Sequence, residues 1–296
     1  MRSPFCLVLC FLFTLPLAAQ TSWTFVRPER SSPPVFFQDT ALSESSAVVV
    51  SRTQPGVLWT LNDSGNDPLL FAVDSLGRTL ATFRVRGAVN EDWESLDTGP
   101  CGTTRCLYIG DTGDNQERRA WVVVYRVAEP AVRAGSAREG DTDPAERLQV
   151  RYPDGPHDVE AMLVTRAGNL LLITKGRSGS ILLFRVPASA WAGAGVVTAE
   201  ALGRLSIIPD LIGRQVTDAA LAPDNRTVAI RTYREIFFFL RTKDDRLKAT
   251  RPPVACDISG LEPQGEGVDW LDDRRLVLTS ERSSAPAGSI HVVQCR

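Results

Sequence analysis

The chain has 296 residues, 43% hydrophobic and 23% charged, with 33 basic against 35 acidic side chains and a net charge of −2. That balance supplies no basic surface for nucleic acid or for an anionic membrane, so neither is expected as a partner. The length alone allows one or two domains.

The first residues carry Arg2, an apolar run from Phe5 to Leu17, then Ala18-Ala19-Gln20. A charged start, a short apolar stretch and small residues at the break read as a secretory signal peptide over 1–20. The run is too short to span a bilayer, which takes about 20 apolar residues. No Cys follows Ala18 and Ala19, so no lipoprotein anchor is expected. Without Arg2 the basic count is 32 against 35 acids, about −3, for a secreted protein, periplasmic or extracellular. It keeps Cys101, Cys106, Cys256 and Cys295, an even number that outside the cytosol favours disulfides. Cys101-Gly-Thr-Thr-Arg-Cys106 reads as a hairpin clipped to itself, and Cys256 with Cys295 as a tie between the last outer strand and the C-terminus. A zinc site would need other spacing and more than His157 and His291.

From Trp23 to Val26 lies a short strand candidate, followed by a Pro/Ser-rich connector. The chain then repeats itself. Ser43-Glu44-Ser45-Ser46-Ala47, Asp92-Trp93-Glu94-Ser95-Leu96, Asp158-Val159-Glu160-Ala161-Met162, Thr217-Asp218-Ala219-Ala220-Leu221 and Gly265-Glu266-Gly267-Val268-Asp269 each set a carboxylate before small and apolar residues. Such self-similarity marks a repeat architecture.

Each repeat opens a run of short strands punctuated by turn residues, with no helical period. In the first unit these are Ala47 to Val50, Val57 to Leu61, Leu69 to Val73 and Thr79 to Val85. The second unit carries an insertion, roughly Glu129 to Glu146, expected as a mobile surface loop. The fifth unit ends one strand short. An all-β propeller of five four-stranded blades over residues 21–296, closed by the N-terminal strand Trp23 to Val26 in the last blade, accounts for both ends. A sixth, degenerate blade between Asp111 and Asp158 is the alternative. Trp59, Trp93 and Trp270 are expected between blades.

Innermost strands line a central channel, so Glu44, Glu94, Glu160, Asp218 and Glu266 are expected as a ring at one mouth. Like charges so placed must take up protons or a cation. Hard oxygen ligands suit calcium, or another divalent cation. The ends of the second strands add Asp63, Asp111, Lys175, Arg231 and Glu281 to the rim. The loops Asp63-Ser-Gly-Asn-Asp67 and Asp111-Thr-Gly-Asp-Asn115 have the composition of calcium loops and equally of hairpin turns. Alternatively, Lys175 and Arg231 pair with the ring and form a structural ion-pair cage.

The motifs L-W-T-L-N-D-S-G, D-W-E-S-L, L-Y-I-G-D-T-G-D-N and H-D-V-E-A-M resemble a group of exported bacterial β-propellers related to the SdiA-regulated and phytase-like (esterase-like) families. More distantly the chain is similar to the gluconolactonase type, which holds one divalent cation at the channel mouth. The resemblance covers about residue 40 to the end. It implies a cation site lined by Glu44, Asp63, Glu94, Asp111 and Glu160, from which Lys175 and Arg231 depart.

Two functions follow as expectations. The first is a calcium-dependent hydrolase of small phosphoesters, esters or lactones. Lys175, Arg231 and Glu281 would hold a small anionic molecule, and His157 or Glu94 would move the proton. The second is a monomeric, non-catalytic propeller that binds a ligand or partner around a structural cation. No G-x-S-x-G elbow supports a nucleophile.

Overall fold

The computed structural model describes residues 21–132, 139–210, 212–283, 285 and 287–295, so the signal-peptide reading of 1–20 lies outside the described residues. The strands form five separate sheets. Blade one runs outward through Ser45–Val50, Leu58–Asn62, Leu69–Val73 and Thr79–Arg84. Blade two runs through Trp93–Cys101, Thr104–Asp111, Val122–Ala128 and Glu146–Arg151. Blade three has Val159–Val164, Leu170–Thr174, Leu182–Val186 and Glu200–Arg204. Blade four has Val216–Leu221, Thr227–Thr232, Glu235–Arg241 and Val254–Asp257. Blade five supplies Gly265–Trp270, Arg275–Ser280 and Ser289–Cys295. Each innermost strand contacts the next in the cycle one, two, three, four, five, one, which closes the ring. The five-bladed propeller is therefore present. The stretch from Asp111 to Asp158 belongs to blades one and two, with no sixth blade among the described residues.

The physical basis of the ring is the pairing of blade faces. A strand buried on both faces reads as an apolar run, and Ser45–Val50, Val159–Val164 and Leu170–Thr174 are buried throughout. Five apolar clusters each join neighbouring blades: Trp59 and Trp93 between one and two, Tyr108 and Met162 between two and three, Ile173 and Phe239 between three and four, Trp270 and Ile236 between four and five, Phe71 and Val277 between five and one. Truncating one such anchor, Trp59→Ala, would cost about 3–5 kcal/mol.

The ring closes through a different strand from the one expected. Pro28–Arg30 pairs antiparallel with Ser289–Cys295 and is the fourth strand of blade five. Thr24–Val26 instead lies parallel to Val254–Asp257 at the outer edge of blade four. Its neighbour Trp23 packs on Phe237 and Phe239, with ring centroids 4.8 and 5.4 Å away. Part of the blade-two insertion, expected as a mobile loop, is regular strand. Its Glu139–Asp141 adds a parallel strand to the edge of blade one, as Val196–Thr198 does for blade two. Unpaired sheet edges invite association, and here the following stretch of chain covers them.

Both expected disulfides are present, Cys101–Cys106 and Cys256–Cys295. No helix among the described residues is long and apolar enough to cross a membrane.

Candidate metal centre at the channel mouth

Every innermost strand carries a β-bulge near its start, at the same depth in all five blades. The ladder skips Ser46 in blade one, Glu94 in two, Glu160 in three, Thr217 in four and Glu266-Gly267 in five. A bulge re-aims a side chain that regular alternation would send into the sheet face. The ring at this depth is therefore Ser46, Glu94, Glu160, Thr217 and Glu266, and Ser46 Oγ donates 2.8 Å to Glu94 Oε2.

Three of the five expected ring residues, Glu94, Glu160 and Glu266, occupy it. Glu44 stands two residues before the bulge, in phase with Asp92, and its carboxylate accepts from Asn66 Nδ2 at 2.6 Å. Asp218 stands one residue past it and turns into the interface with blade five. There it accepts the Ala219 and Val268 N–H groups, each at 2.8 Å. It is a clamp between innermost strands and not a ligand. Asp97 and Asp269 make the same kind of bridge, to Val164 and Val50.

The residues that follow the second strands form the rim. The ladders end at Asn62, Asp111, Thr174, Thr232 and Ser280, so the next residues in phase are Asp63, Thr112, Lys175, Tyr233 and Glu281. Asp63, Lys175 and Glu281 match the expectation, whereas Asp111 and Arg231 do not. Asp111 lies inside the ladder and is buried. It accepts Arg119 Nη1 and the Asp92 N–H, both at 3.0 Å. Arg231 is 1% exposed; it pairs with Glu262 and donates to the Gly267 and Thr279 carbonyls. In a strand a slip of one residue reverses the side chain, which removes Asp111 from the site, whereas Arg231 stands two residues short of Tyr233 and is sealed beneath the rim by its own partners.

Asp63, Asp92 and Glu94 come together, with one carboxylate oxygen from each within 4.8 Å of the others. Asp92 is the member that sequence reasoning missed, although Asp92-x-Glu94 and Asp158-x-Glu160 repeat one pattern. Asp92 Oδ1 is buried and has no hydrogen-bond partner among the described residues. Burial and the neighbouring Asp63 and Asp158 charges push the Asp92 carboxyl up to about 7. Glu94 is raised by burial and then by Glu160. Burial pushes Glu266 up to about 7, and burial with Glu266, Asp63 and Glu44 nearby takes Glu281 to about 8.

Among the described residues the ring carboxylates have one ion-pair partner, Lys175. Lys175 Nζ lies 2.7 Å from Glu160 Oε1, and although burial works against its charge, Glu160, Tyr233 and Glu94 hold it protonated. On the flank Arg177 pairs with Asp158. Among the described residues Glu94, Asp92 and Asp63 have no cation within ion-pair distance, and Lys175 and Arg119 act on Glu94 and Asp92 only from farther off. The donor set is all hard oxygen, one buried acceptor has no partner, and calcium takes its oxygen ligands at roughly 2.3–2.6 Å, so these residues fit a divalent ion.

His157 lies away from this cluster, packed against Tyr152 and Phe184 with centroids 5.5 and 5.3 Å apart. Its Nε2 faces Asp154 at 3.0 Å and its Nδ1 is 3.9 Å from Glu117. Those contacts include none of Asp63, Asp92 or Glu94. His291 is a buried partner of Ser289 at 3.1 Å. In the loop from Asp111 to Asn115 the carboxylates are engaged outside the cluster, Asp114 by the Arg118 and Arg119 N–H groups and Asp111 by the Arg119 side chain; the loop from Asp63 to Asp67 alone of the two delivers a carboxylate to the cluster.

No protein-family model matches the chain. No curated protein matches it either. Among solved structures it is similar to the β-propeller domain of Myceliophteria thermophila Cps50 (Swd1), at 12% identity over 90% of this chain and 99% of that one, TM-score 0.42. It is also similar to a PQQ-bound aldose sugar dehydrogenase from Streptomyces coelicolor, at 12% identity over 86% and 97%, TM-score 0.48. A third is a virginiamycin B lyase from Staphylococcus aureus, at 9% over 88% and 98%, TM-score 0.44. These neighbours are propellers, and the likeness concerns the fold alone.

Proposed function

We propose that this protein is an exported propeller that binds a divalent cation, calcium, at the mouth formed by the starts of its innermost strands. Asp63, Asp92 and Glu94 would hold the ion. Glu266 and Glu281 would sit nearby, with Lys175 neutralising Glu160. The observation that carries the reading is the convergence of three carboxylates around a buried Asp92 oxygen that has no hydrogen-bond partner among the described residues. Two disulfides fit an oxidising compartment and agree with the export reading of residues 1–20. The test is thermal melting of chelator-stripped protein with calcium added back. The melting temperature should rise with calcium and return with chelator, and an unchanged transition at millimolar calcium would refute the site.

A metal-dependent hydrolase of small phosphoesters, esters or lactones is the second reading. What favours it is the placement of Glu266 and Glu281 beside the cation site, where burial raises Glu266 to about 7 and Glu281 to about 8, in the range that suits a general base. A bound cation would polarise a substrate oxygen and acidify water there. Two of the expected anion-holding groups are committed, Lys175 to Glu160 and Arg231 to Glu262, so a substrate would bind through the cation. Chelator-sensitive turnover on a phosphoester and lactone panel, lost in Glu266→Gln, would establish it. Bound calcium without turnover leaves the cation-binding role alone.

A further inference from the structure

The innermost strands run from the acidic mouth to a second opening, and there the charge reverses. Between the ends of these strands lies a cavity of about 280 Å³, whose lining includes Arg52, Asp97, Thr98, Arg105, Arg166 and Asn225. Thr98 lies four residues beyond Glu94, so this opening is roughly 13 Å along the strand from the carboxylate cluster.

Arg52 is neutralised, since its Nη2 reaches both Asp269 oxygens at 3.0 and 3.2 Å. Arg105 and Arg166 are not. Among the described residues neither has a carboxylate within ion-pair distance; the Arg105 Nη2 donates to Thr98 Oγ1 at 2.9 Å and the Arg166 Nη2 to the Pro223 carbonyl at 2.7 Å. The Arg105 Nε is buried and has no hydrogen-bond partner among the described residues, which is costly for a donor that stays unsatisfied. Asp97 does not cancel these charges at contact range. Its two oxygens are turned to the Thr98 and Val164 N–H groups, each at 2.6 Å.

We propose that this cavity binds a small molecule through a doubly charged tetrahedral oxyanion, a phosphate or sulfate group, held by Arg105 and Arg166. Two unpaired guanidinium groups match a dianion in charge. Their planar forks suit phosphate oxygens, which a point-charge ammonium would not hold bidentately. The cavity is just below the roughly 300–1,000 Å³ of small-molecule sites, enough for the charged group and little more. This site is independent of the cation site in position and in the sign of its ligand.

The experiment uses protein freed of divalent ions by chelating resin, so that phosphate cannot be drawn to a calcium ion. Inorganic phosphate, sulfate and glycerol phosphate are titrated against chloride at matched ionic strength, following melting temperature and heat of binding. Phosphate or glycerol phosphate should raise the melting temperature beyond chloride. Arg105→Met with Arg166→Met should weaken binding at least about tenfold, while Arg105→Lys, which keeps the charge and loses the fork, should weaken it less. The response to calcium should be unchanged in the double variant, which shows that the propeller is intact. Should that variant fail to fold, Arg166→Gln, on an exposed turn, carries the test alone. Tighter binding of glycerol phosphate than of phosphate identifies an esterified ligand, and equal binding the free ion. No response beyond chloride, or an equal response in the arginine variants, overturns the proposal.

Discussion

At the scale of single residues, the mouth is organised by which carboxylates have partners. Asp111 and Asp158 are paired with Arg119 and Arg177, and Glu160 with Lys175; Asp92 has no ion-pair partner among the described residues, and the Asp63 and Asp158 charges outweigh the more remote influence of Arg119. Replacing it with the neutral isostere should therefore act in opposite directions with and without metal. Asp92→Asn should raise the stability of the metal-free protein at pH 8 by on the order of 1 kcal/mol, after discounting for solvent screening. It should also remove most of the stabilisation by calcium. Paired thermal melts of parent and variant, stripped and calcium-loaded, check both signs. Asp111→Asn should weaken calcium binding less, about two- to fivefold by calorimetry, because Asp111 only holds the Asp92 backbone through its 3.0 Å acceptor bond. The sequence shows the glutamates of this site and hides its phase. Glu44, Asp218, Asp111 and Arg231 are each one or two residues from the in-phase position, and a bulge that shifts the count is invisible to spacing alone.

At the scale of elements, apolar pattern located the blades and misplaced the closing strand. Trp23 to Val26 has the composition of a strand and Pro28-Glu29-Arg30 does not, but a proline is at home on an edge strand. That edge is where blade five needed a partner. Trp23 found its burial against Phe237 and Phe239 in blade four instead. The disulfides could be paired from the sequence because each lies between strands that the blade pattern makes neighbours. They differ in what they constrain. Cys101–Cys106 closes a loop with a sequence separation of 5, and Cys256–Cys295 one of 39, linking the outer strand of blade four to the last strand of blade five. On a chain-entropy basis the first contributes about 2 kcal/mol and the second about 4 kcal/mol. Cys256→Ser with Cys295→Ser should accordingly lower the stability more than Cys101→Ser with Cys106→Ser, by about 2 kcal/mol in denaturant melts. Equal losses would mean that the ring holds without its covalent tie.

At the scale of the whole molecule, buried acids lie along the length of the innermost strands. Asp97 and Glu266 are pushed up to about 7 and Asp269 to about 6, in each case chiefly by burial. All three folded values stand above the unfolded carboxylate values of about 4. The native state therefore binds more protons than the unfolded chain between about pH 4 and 7. The stability these groups contribute is present below pH 4 and lost as the pH rises through 6 to 7. Metal-free protein should melt on the order of 5 °C higher at pH 5 than at pH 8, and bound calcium should narrow that gap by replacing the protons at the mouth. A flat profile without metal would mean that these carboxyls are better solvated than their burial implies. The central claim, a cation held by Asp63, Asp92 and Glu94, is tested most directly by counting the ions. Calorimetric titration of calcium into stripped protein should give one site per chain in the parent and none in Asp92→Asn over the same range. A parent chain that takes up no calcium, or a variant that binds as tightly as the parent, would contradict it.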